Sequence, residues 1–268
     1  MKIQFTKAAF LIFFALLLTG CLAVGQKIAV TELHNKKTVN ISADIHVAKT
    51  GKSSTVILLH GCGGPEYPHM KEWINNLNNW GYNAVVPNVI QARGASQICD
   101  KPTQVVTAEQ GSVDAYEIAK WIKKQDWATD KVAIIGFSFG AWATLHAAEA
   151  GYAQRNFSQA PFAAGIAFYP FCNTALLFGR KSAMPLQIHI GSADEWTPPN
   201  LCRDLVKNWS MENEYYEYEG AYHGFDMLGV NQYSFPDLRG KRHWLTYDQQ
   251  ATKNSRIRTK AFLDKAFK

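Results

Sequence analysis

The feature that most constrains this chain is the stretch Ile134 to Ala141, which predicts a buried strand, a sharp turn and a helix. Residues 132–135 are apolar and mostly β-branched, which suits a strand covered on both faces. The alanine-rich segment 141–150 follows without proline and favours a helix. Between them lies Gly-x-Ser-x-Gly, in which Ser138 is expected to adopt a strained backbone conformation with its hydroxyl above the sheet. The alternative is an ordinary glycine-rich turn that carries a bystander serine.

Crowding explains the two glycines of this motif, because a side chain at Gly136 or Gly140 would collide with the neighbouring strand and helix. The backbone N–H of Phe139 is expected at the helix N-terminus, where a developing negative charge is stabilised. The motif therefore points to Ser138 as a nucleophile and to the Phe139 N–H as one oxyanion donor.

Segments of strand length alternate with segments of helical periodicity along most of the chain. Residues 26–49 alternate apolar and polar side chains, which is typical of antiparallel strands at a sheet edge. Further strands are predicted at 55–59, 82–87, 162–169, 186–190 and 214–218, and helices at 70–80, 107–124, 198–211 and 252–267. The central strands are too apolar for a half-exposed sheet. We therefore predict an α/β fold with a mostly parallel central sheet and helices on both faces.

The region between the last predicted strand and the last predicted helix is largely polar, and no element is predicted there. In that last helix, Ile257, Phe262 and Phe267 fall near one helical period.

The composition, 47% hydrophobic and 19% charged over 268 residues, fits one large α/β domain with an ample core. Scattered basic residues give the net charge of +6 without a basic run, so no nucleic-acid partner is expected.

Residues 1–20 are predicted to be a signal peptide, which leaves residues 21–268 as the folded domain. Lys2 and Lys7 supply positive charge, and the apolar run that follows is too short to span a bilayer comfortably as a mature helix. The segment ends in Leu-Thr-Gly-Cys at 18–21, which resembles the lipobox of bacterial lipoprotein signals.

That resemblance implies that Cys21 becomes the lipidated first residue of an exported protein, which it would anchor to a membrane. Leu22 rather than aspartate follows the cysteine, and by the same resemblance this favours the periplasmic face of the outer membrane. The alternative is a plain signal peptide that is cut nearby, with an incidental cysteine.

The other four cysteines are Cys62, Cys99, Cys172 and Cys202. In an oxidising compartment four cysteines suggest two disulfides, and the residues alone leave three connectivities open. Four free buried thiols are the alternative. No Cys-x-x-Cys spacing occurs, so a zinc or redox site is not expected.

Ser138, Asp194 and His223 each follow a predicted strand, so all three are expected at the same rim of the sheet. Their order along the chain, serine then acid then histidine, is that of α/β-hydrolases. A serine hydroxyl needs a base to take its proton, and a neutral imidazole can do so near neutral pH. A buried carboxylate holds the imidazole in the right tautomer.

Other residues compete for these roles. His60 lies beside a glycine-rich loop, where a histidine usually has a structural role and bonds the backbone. Glu195 adjoins Asp194, and Asp226 lies just past the predicted base, so either carboxylate is an alternative acid. Asp194 is preferred because it directly follows a strand and small residues.

The glycine-rich loop at 60–64 is expected to supply the second oxyanion donor, because a tetrahedral intermediate needs two preorganised N–H groups. The N–H of Cys62 is the first choice, with Gly61 or Gly63 as alternatives, and the loop is otherwise merely a tight turn. Cys62 is not expected to be a nucleophile, because no base adjoins it in the motif.

Three segments together resemble the dienelactone hydrolase family: Gly136–Gly140, Gly191–Pro198 and Tyr222–Phe225. The resemblance runs from about Thr38 to the C-terminal helix and implies a compact α/β-hydrolase without a large cap domain. Dienelactone hydrolase itself has a cysteine nucleophile, whereas this chain has a serine, so its lactone substrate is not carried over. We match no residue to that enzyme's carboxylate-binding arginines, and Arg93 is a candidate only by its place in a loop near the rim.

The same resemblance bears on the cysteines, because it makes the strands that precede them neighbours in the sheet. It implies a bridge between Cys172 and Cys202 and a second between Cys62 and Cys99. Such bridges would pin the loops that carry the predicted acid and the predicted oxyanion donor.

These features together predict a serine hydrolase that cleaves a small carboxylic ester, thioester or lactone without a metal or organic cofactor. The pocket is expected to draw on aromatic side chains near the motifs, although each of them also suits plain core packing: Trp142, Trp196, Tyr222 and Phe225. One alternative is a peptidase or acyl-aminopeptidase of the same fold. Another is a non-catalytic envelope lipoprotein that uses the fold for binding.

Overall fold

The computed structural model describes residues 24–33, 36–48, 51–100, 105–149, 152, 156–157, 161–172, 181–209, 213–237 and 240–268. Its eight-stranded central sheet comprises β1 Val24–Thr31, β2 Thr38–His46, β3 Ser53–Leu59, β4 Asn83–Pro87, β5 Ala128–Phe137, β6 Phe162–Phe168, β7 Leu186–Gly191 and β8 Asn213–Tyr218. The order across the sheet is β1-β2-β4-β3-β5-β6-β7-β8. The β1–β2 and β2–β4 pairs are antiparallel, and the remaining pairs are parallel. The predicted mostly parallel sheet with an antiparallel edge is confirmed.

Helices cover both faces of this sheet: α1 Pro68–Asn79, α2 Ala108–Ile122, α3 Phe139–Ala148, α4 Pro199–Asn208 and α5 Gln249–Ala266. One apolar core lies under α2, α3 and α4, and the other lies under α1 and α5. β3 shows why the central strands are apolar throughout, since Ile57 and Leu59 enter the first core and Val56 and Leu58 the second.

Helix boundaries follow local capping chemistry. Thr107 and Gln110 form a reciprocal capping box at the start of α2. Asp248 caps α5 by accepting from the backbone N–H of Ala251, and α4 begins at Pro199, where a missing N–H costs nothing. The helix predicted to reach residue 211 ends at Asn208, and residues 210–212 lie outside the described part of the chain.

The buried face of α5 differs from the apolar stripe that the sequence predicts. Ile257 is 59% exposed, whereas Thr252, Ser255 and Thr259 are buried together with Phe262. Two of these hydroxyl groups donate to backbone carbonyls, Thr252 Oγ1 to Phe225 O at 2.9 Å and Ser255 Oγ to Thr252 O at 3.0 Å. The Thr259 hydroxyl donates to the side-chain oxygen of Gln187. The buried face of α5 therefore combines these small polar residues with Ala251, Phe262 and Leu263.

A second departure is the hairpin of β9 Tyr233–Pro236 and β10 Arg242–Leu245, in a region where no element was expected.

The predicted signal peptide and the predicted lipidation site Cys21 lie outside the described residues. Within the part that is described, no helix has the length and apolar character needed to cross a membrane.

Candidate active site

Ser138 occupies the turn between β5 and α3 in a backbone conformation that side chains rarely adopt, with φ 52° and ψ −110°. A Cβ built on Gly136 would lie 2.2 Å from the carbonyl oxygen of Gly140, and one on Gly140 would lie 2.1 Å from that of Leu59. Both glycines are therefore required by close backbone packing, as the sequence predicts. The Ser138 N–H donates to the Phe168 carbonyl at 2.9 Å, which ties the turn to β6.

The three residues that the sequence places at the rim lie in one hydrogen-bonded line. His223 Nε2 lies 2.9 Å from Ser138 Oγ, and His223 Nδ1 lies 2.8 Å from Asp194 Oδ2. The imidazole and the carboxylate are both buried, with the residues 2% and 3% exposed. This geometry allows a proton to pass from the hydroxyl to the imidazole while the carboxylate stabilises the resulting cation.

Asp194 is held by the residues that follow it along the chain. Its Oδ1 accepts from the backbone N–H groups of Trp196 at 2.9 Å and Thr197 at 2.8 Å. Its Oδ2 accepts from the Thr197 hydroxyl at 2.8 Å, in addition to facing the imidazole. The carboxylate therefore has little freedom to turn away from His223.

The His223 ring is also fixed by aromatic neighbours. Its centroid lies 4.6 Å from that of Tyr169 and 5.0 Å from that of Trp196.

The Tyr169 hydroxyl donates to Asp226 Oδ1 at 2.8 Å, and Trp73 Nε1 donates to Asp226 Oδ2 at the same distance. Asp226, one of the alternative acids, is thus a buried acceptor for two aromatic residues.

Glu195, the other alternative acid, points to solvent. Its side chain is 57% exposed and forms an ion pair with Lys241 at 3.5 Å. The structure therefore brings only Asp194, of the three carboxylates considered, to the His223 ring.

His60 has the structural environment expected of it. Its ring is fully buried, and Nδ1 lies 2.7 Å from the carbonyl oxygen of Gly61. Burial lowers the pKa of His60 to about 4, so the ring is neutral at pH 7. It stiffens the glycine-rich loop and does not reach the serine.

The glycine-rich loop lies against the serine turn. A Cβ on Gly61 would lie 3.6 Å from Ser138 Cβ, and Gly61, Cys62 and Gly63 all line the pocket beside the serine hydroxyl. Cys62 is bonded to Cys99, which removes it as a nucleophile. The second bridge joins Cys172 to Cys202, so both pairs are those that the family resemblance implies.

The pocket at Ser138 is mainly apolar and aromatic. Its walls are Gly61, Cys62, Gly63, Tyr67, His69, Cys99, Ser138, Trp196, His223, Met227, Val230, Tyr233 and Leu245. Of the four aromatic residues suggested by the sequence, Trp196 lines this pocket. Phe225 is buried in the core, Trp142 packs edge-on against Phe171, and Tyr222 lines a separate cleft.

Four of the pocket residues that sequence reasoning missed come from the segment around the β9–β10 hairpin. Met227, Val230, Tyr233 and Leu245 line the pocket, and Leu245 forms a parallel bridge with His223. The ring of His243 stacks on Trp196 with centroids 5.5 Å apart. Strands of four residues each give too short a pattern to identify these residues from the sequence.

Arg93 is not a substrate ligand. Its guanidinium is buried and pairs with Asp114 at 2.7 Å and Glu32 at 3.0 Å, away from the serine pocket. Four of its five N–H groups already donate to Glu32, Asp114 and the Val89 carbonyl. Among the residues described, no cluster of three or more His, Cys, Asp and Glu side chains could hold a metal ion.

Comparison with known proteins agrees with this geometry. A model of the Dienelactone hydrolase family matches residues 41–267. No curated protein matches the sequence.

Among solved structures, a dienelactone hydrolase-like promiscuous phosphotriesterase, P91, from metagenomic libraries has 17% identity and a TM-score of 0.70, covering 92% of this chain and 99% of its own. The Pyrococcus furiosus esterase Pf2001 has 16% identity, a TM-score of 0.65 and coverages of 92% and 94%. Esterase 2 of Thermogutta terrifontis, phosphoramylated by tabun, has 16% identity, a TM-score of 0.62 and coverages of 91% and 94%. At such identities the likeness establishes the α/β-hydrolase fold and not the substrate.

Proposed function

The chain belongs to the dienelactone hydrolase family and is a hydrolase that acts on ester bonds, and we propose that it works through an acyl-enzyme on Ser138. The observation that carries the proposal is the line of contacts from Ser138 Oγ through the His223 ring to Asp194, at 2.9 and 2.8 Å. The proposed substrates are carboxylic esters, thioesters and lactones.

In the first step, His223 Nε2 takes the proton of the Ser138 hydroxyl as Oγ attacks the carbonyl carbon. The carbonyl π electrons move onto oxygen and give a tetrahedral oxyanion. Asp194 stabilises the imidazolium at Nδ1 and fixes the tautomer that leaves Nε2 free to accept. Four hydrogen bonds already hold the Asp194 carboxylate in place. The carboxylate therefore needs to move little when positive charge develops on the His223 ring.

The oxyanion is proposed to accept from the N–H of Phe139, at the start of α3, and from the N–H of Cys62, with Gly61 or Gly63 as the alternative second donor. Loss of one such donor typically lowers kcat about 100- to 1,000-fold. The Cys62–Cys99 bridge supports this role, because it restrains the loop on which the second donor lies.

Collapse of the tetrahedral intermediate breaks the bond to the alcohol oxygen, which takes the proton from His223 and leaves an ester on Ser138. Water then donates a proton to His223 and attacks the acyl carbon through a second oxyanion. The acid leaves, and the proton returns to Ser138 Oγ. Water is the only reactant besides the ester in this scheme.

We also propose that the chain is exported and lipid-anchored at Cys21. The Leu-Thr-Gly-Cys ending of the N-terminal apolar segment and the two disulfides support an oxidising compartment. Expression of the full chain in a Gram-negative host should place it in the membrane fraction, and Cys21→Ser should release it or block its processing. Labelled palmitate should be incorporated into the wild type and not into Cys21→Ser, and a wild type without this label would reject the anchor.

Hydrolysis of a panel of p-nitrophenyl esters, lactones and amides tests the proposed reaction. Ser138→Ala should lower kcat for every cleaved ester by about 10⁴-fold or more, because the nucleophile is removed. Ser96→Ala is the matched control, since Ser96 is exposed and lies outside the serine pocket. Ester cleavage that persists in Ser138→Ala would reject the acyl-enzyme, and faster cleavage of amides than esters would favour the peptidase alternative.

A further inference from the structure

His69, near the start of α1, has an unusual environment. It is 1% exposed, lines the pocket beside Ser138, and neither of its ring nitrogens has a hydrogen-bond partner among the described residues. A buried polar group without a partner costs about 1–3 kcal/mol. Because the unpaired His69 ring lies beside Ser138, we expect a group on the substrate to supply its missing hydrogen bond.

The ring of His69 is held in place by packing. It lies edge-on to Phe137, with centroids 5.1 Å apart, and its centroid lies 6.1 Å from that of Tyr67. Pro68 begins the helix directly before it and restricts the backbone there. The orientation of the His69 ring beside the pocket is therefore preorganised.

Burial keeps the His69 ring neutral although two carboxylates lie nearby. Burial lowers its pKa, and this effect outweighs the opposing influence of Asp226 and Glu72, while Arg256 acts in the same direction as burial. A neutral imidazole offers one N–H donor and one acceptor nitrogen. The natural complement to such a pair is a group that can also donate and accept, namely a hydroxyl.

The rest of the pocket argues against a charged substrate. No lysine, arginine, aspartate or glutamate is among the described residues that line it. The walls are formed by Trp196, Met227, Val230 and Leu245, with phenol rings from Tyr67 and Tyr233. A carboxylate on the substrate would lose its hydration here without gaining a counter-charge.

We propose that His69 determines specificity by hydrogen-bonding a hydroxyl on the part of a neutral ester or lactone that occupies this pocket. The inference rests on the proposed serine chemistry and deepens it. It assigns the substrate class as uncharged, largely apolar and hydroxylated, in contrast to a substrate recognised through a carboxylate.

Two matched substrate series test this proposal with the full mature chain. The first compares p-nitrophenyl 3-phenylpropanoate with its 3- and 4-hydroxyphenyl analogues, and the second compares benzyl acetate with its 3- and 4-hydroxybenzyl analogues. These series place the hydroxyl in the acyl part and in the alcohol part respectively. The measured quantity is the ratio of kcat/KM for each hydroxylated ester to that of its parent.

The wild-type chain should favour at least one hydroxylated ester by about 10- to 100-fold, because the analogue without a hydroxyl leaves the imidazole unpaired. His69→Phe, which keeps a flat ring against Phe137, should abolish that preference. His69→Gln, which retains a donor and an acceptor, should keep part of it. His46→Phe, on β2 outside the pocket, is the matched control and should show the wild-type ratio.

Labelling of Ser138 by a fluorophosphonate separates failure of this inference from failure of the proposed function. If the wild-type serine is labelled but every ratio stays near one, or if both His69 variants keep the wild-type ratio, His69 has only a packing role. If the folded wild-type chain is neither labelled nor active on any ester, the acyl-enzyme itself is wrong.

Discussion

At the scale of single residues, the chemistry depends on where one carboxylate can point. Asp194 accepts from the N–H groups of Trp196 and Thr197 through Oδ1, which leaves Oδ2 for the Thr197 hydroxyl and the imidazole. Glu195, one residue later, has the same chemistry but lies in solvent. The turn after β7, and not the type of side chain, decides which of the two acids reaches His223.

Replacement of this carboxylate tests its role. Asp194→Asn should lower kcat about 10³- to 10⁴-fold, because the amide favours the wrong imidazole tautomer while its oxygen can still accept from the backbone. The matched control is Glu195→Gln, which should stay within about twofold of the wild type because the ion pair that it removes is exposed. Steady-state kinetics on one p-nitrophenyl ester suffices. The assignment fails if Glu195→Gln is the more damaging substitution.

At the scale of elements, β7 shows how a central parallel strand accommodates a polar residue. His189 is fully buried, its ring stacks on Phe168 with centroids 4.6 Å apart, and its nitrogens face the Tyr218 hydroxyl and Gln187 Oε1 at 2.8 Å each. Burial, reinforced by the nearby Arg258 cation, lowers the pKa of His189 to about 3. The neutral ring is therefore part of the folded structure.

This burial predicts a pH dependence of stability. Folding lowers the pKa of His189 from 6.5 to about 3. Between these two pH values, His189 is therefore protonated in the unfolded chain and neutral in the folded chain. The free energy of unfolding should therefore fall by about 1.4 kcal/mol per pH unit from this group between those values. Urea titrations of the wild type and His189→Phe at several pH values measure the difference in slope.

His60, whose pKa burial lowers to about 4, also lowers the free energy of unfolding as the pH falls from about 6.5 to 4. Burial raises the pKa of Asp114 to about 6, so this group raises the free energy of unfolding as the pH falls from about 6 to 4. Both groups are present in the wild type and in the His189→Phe variant, so they cancel in the comparison. Stability curves that run parallel from pH 6.5 to 4 would show that His189 is not held neutral.

The elements also show what the sequence could and could not predict. Strands β3 to β6 were predictable because burial on both faces favours a run of apolar residues. The β9–β10 hairpin was not, since its strands have four residues each and carry exposed aromatic side chains such as Trp244. The buried face of α5 was missed because burial of Thr252 and Ser255 depends on hydrogen-bond acceptors that the sequence pattern does not reveal.

At the scale of the whole molecule, the order of strands creates the site. Ser138 and His223 are 85 residues apart, and Asp194 and His223 are 29 apart, but their strands end at the same edge of the sheet. The sequence predicted these three residues because each follows a strand. It could not predict His69, a single histidine on a helix without a motif, whose significance depends on the pocket that the hairpin closes.

The measurement that tests the central claim most directly is covalent labelling of the folded chain with a fluorophosphonate, followed by intact-mass analysis and peptide mapping. A fluorophosphonate reacts with an activated serine hydroxyl, so it reports directly on the proposed nucleophile. We predict one adduct per chain, located on the peptide that contains Ser138, and none in Ser138→Ala. A folded wild-type chain that stays unlabelled, or an adduct on a different residue, would contradict the account.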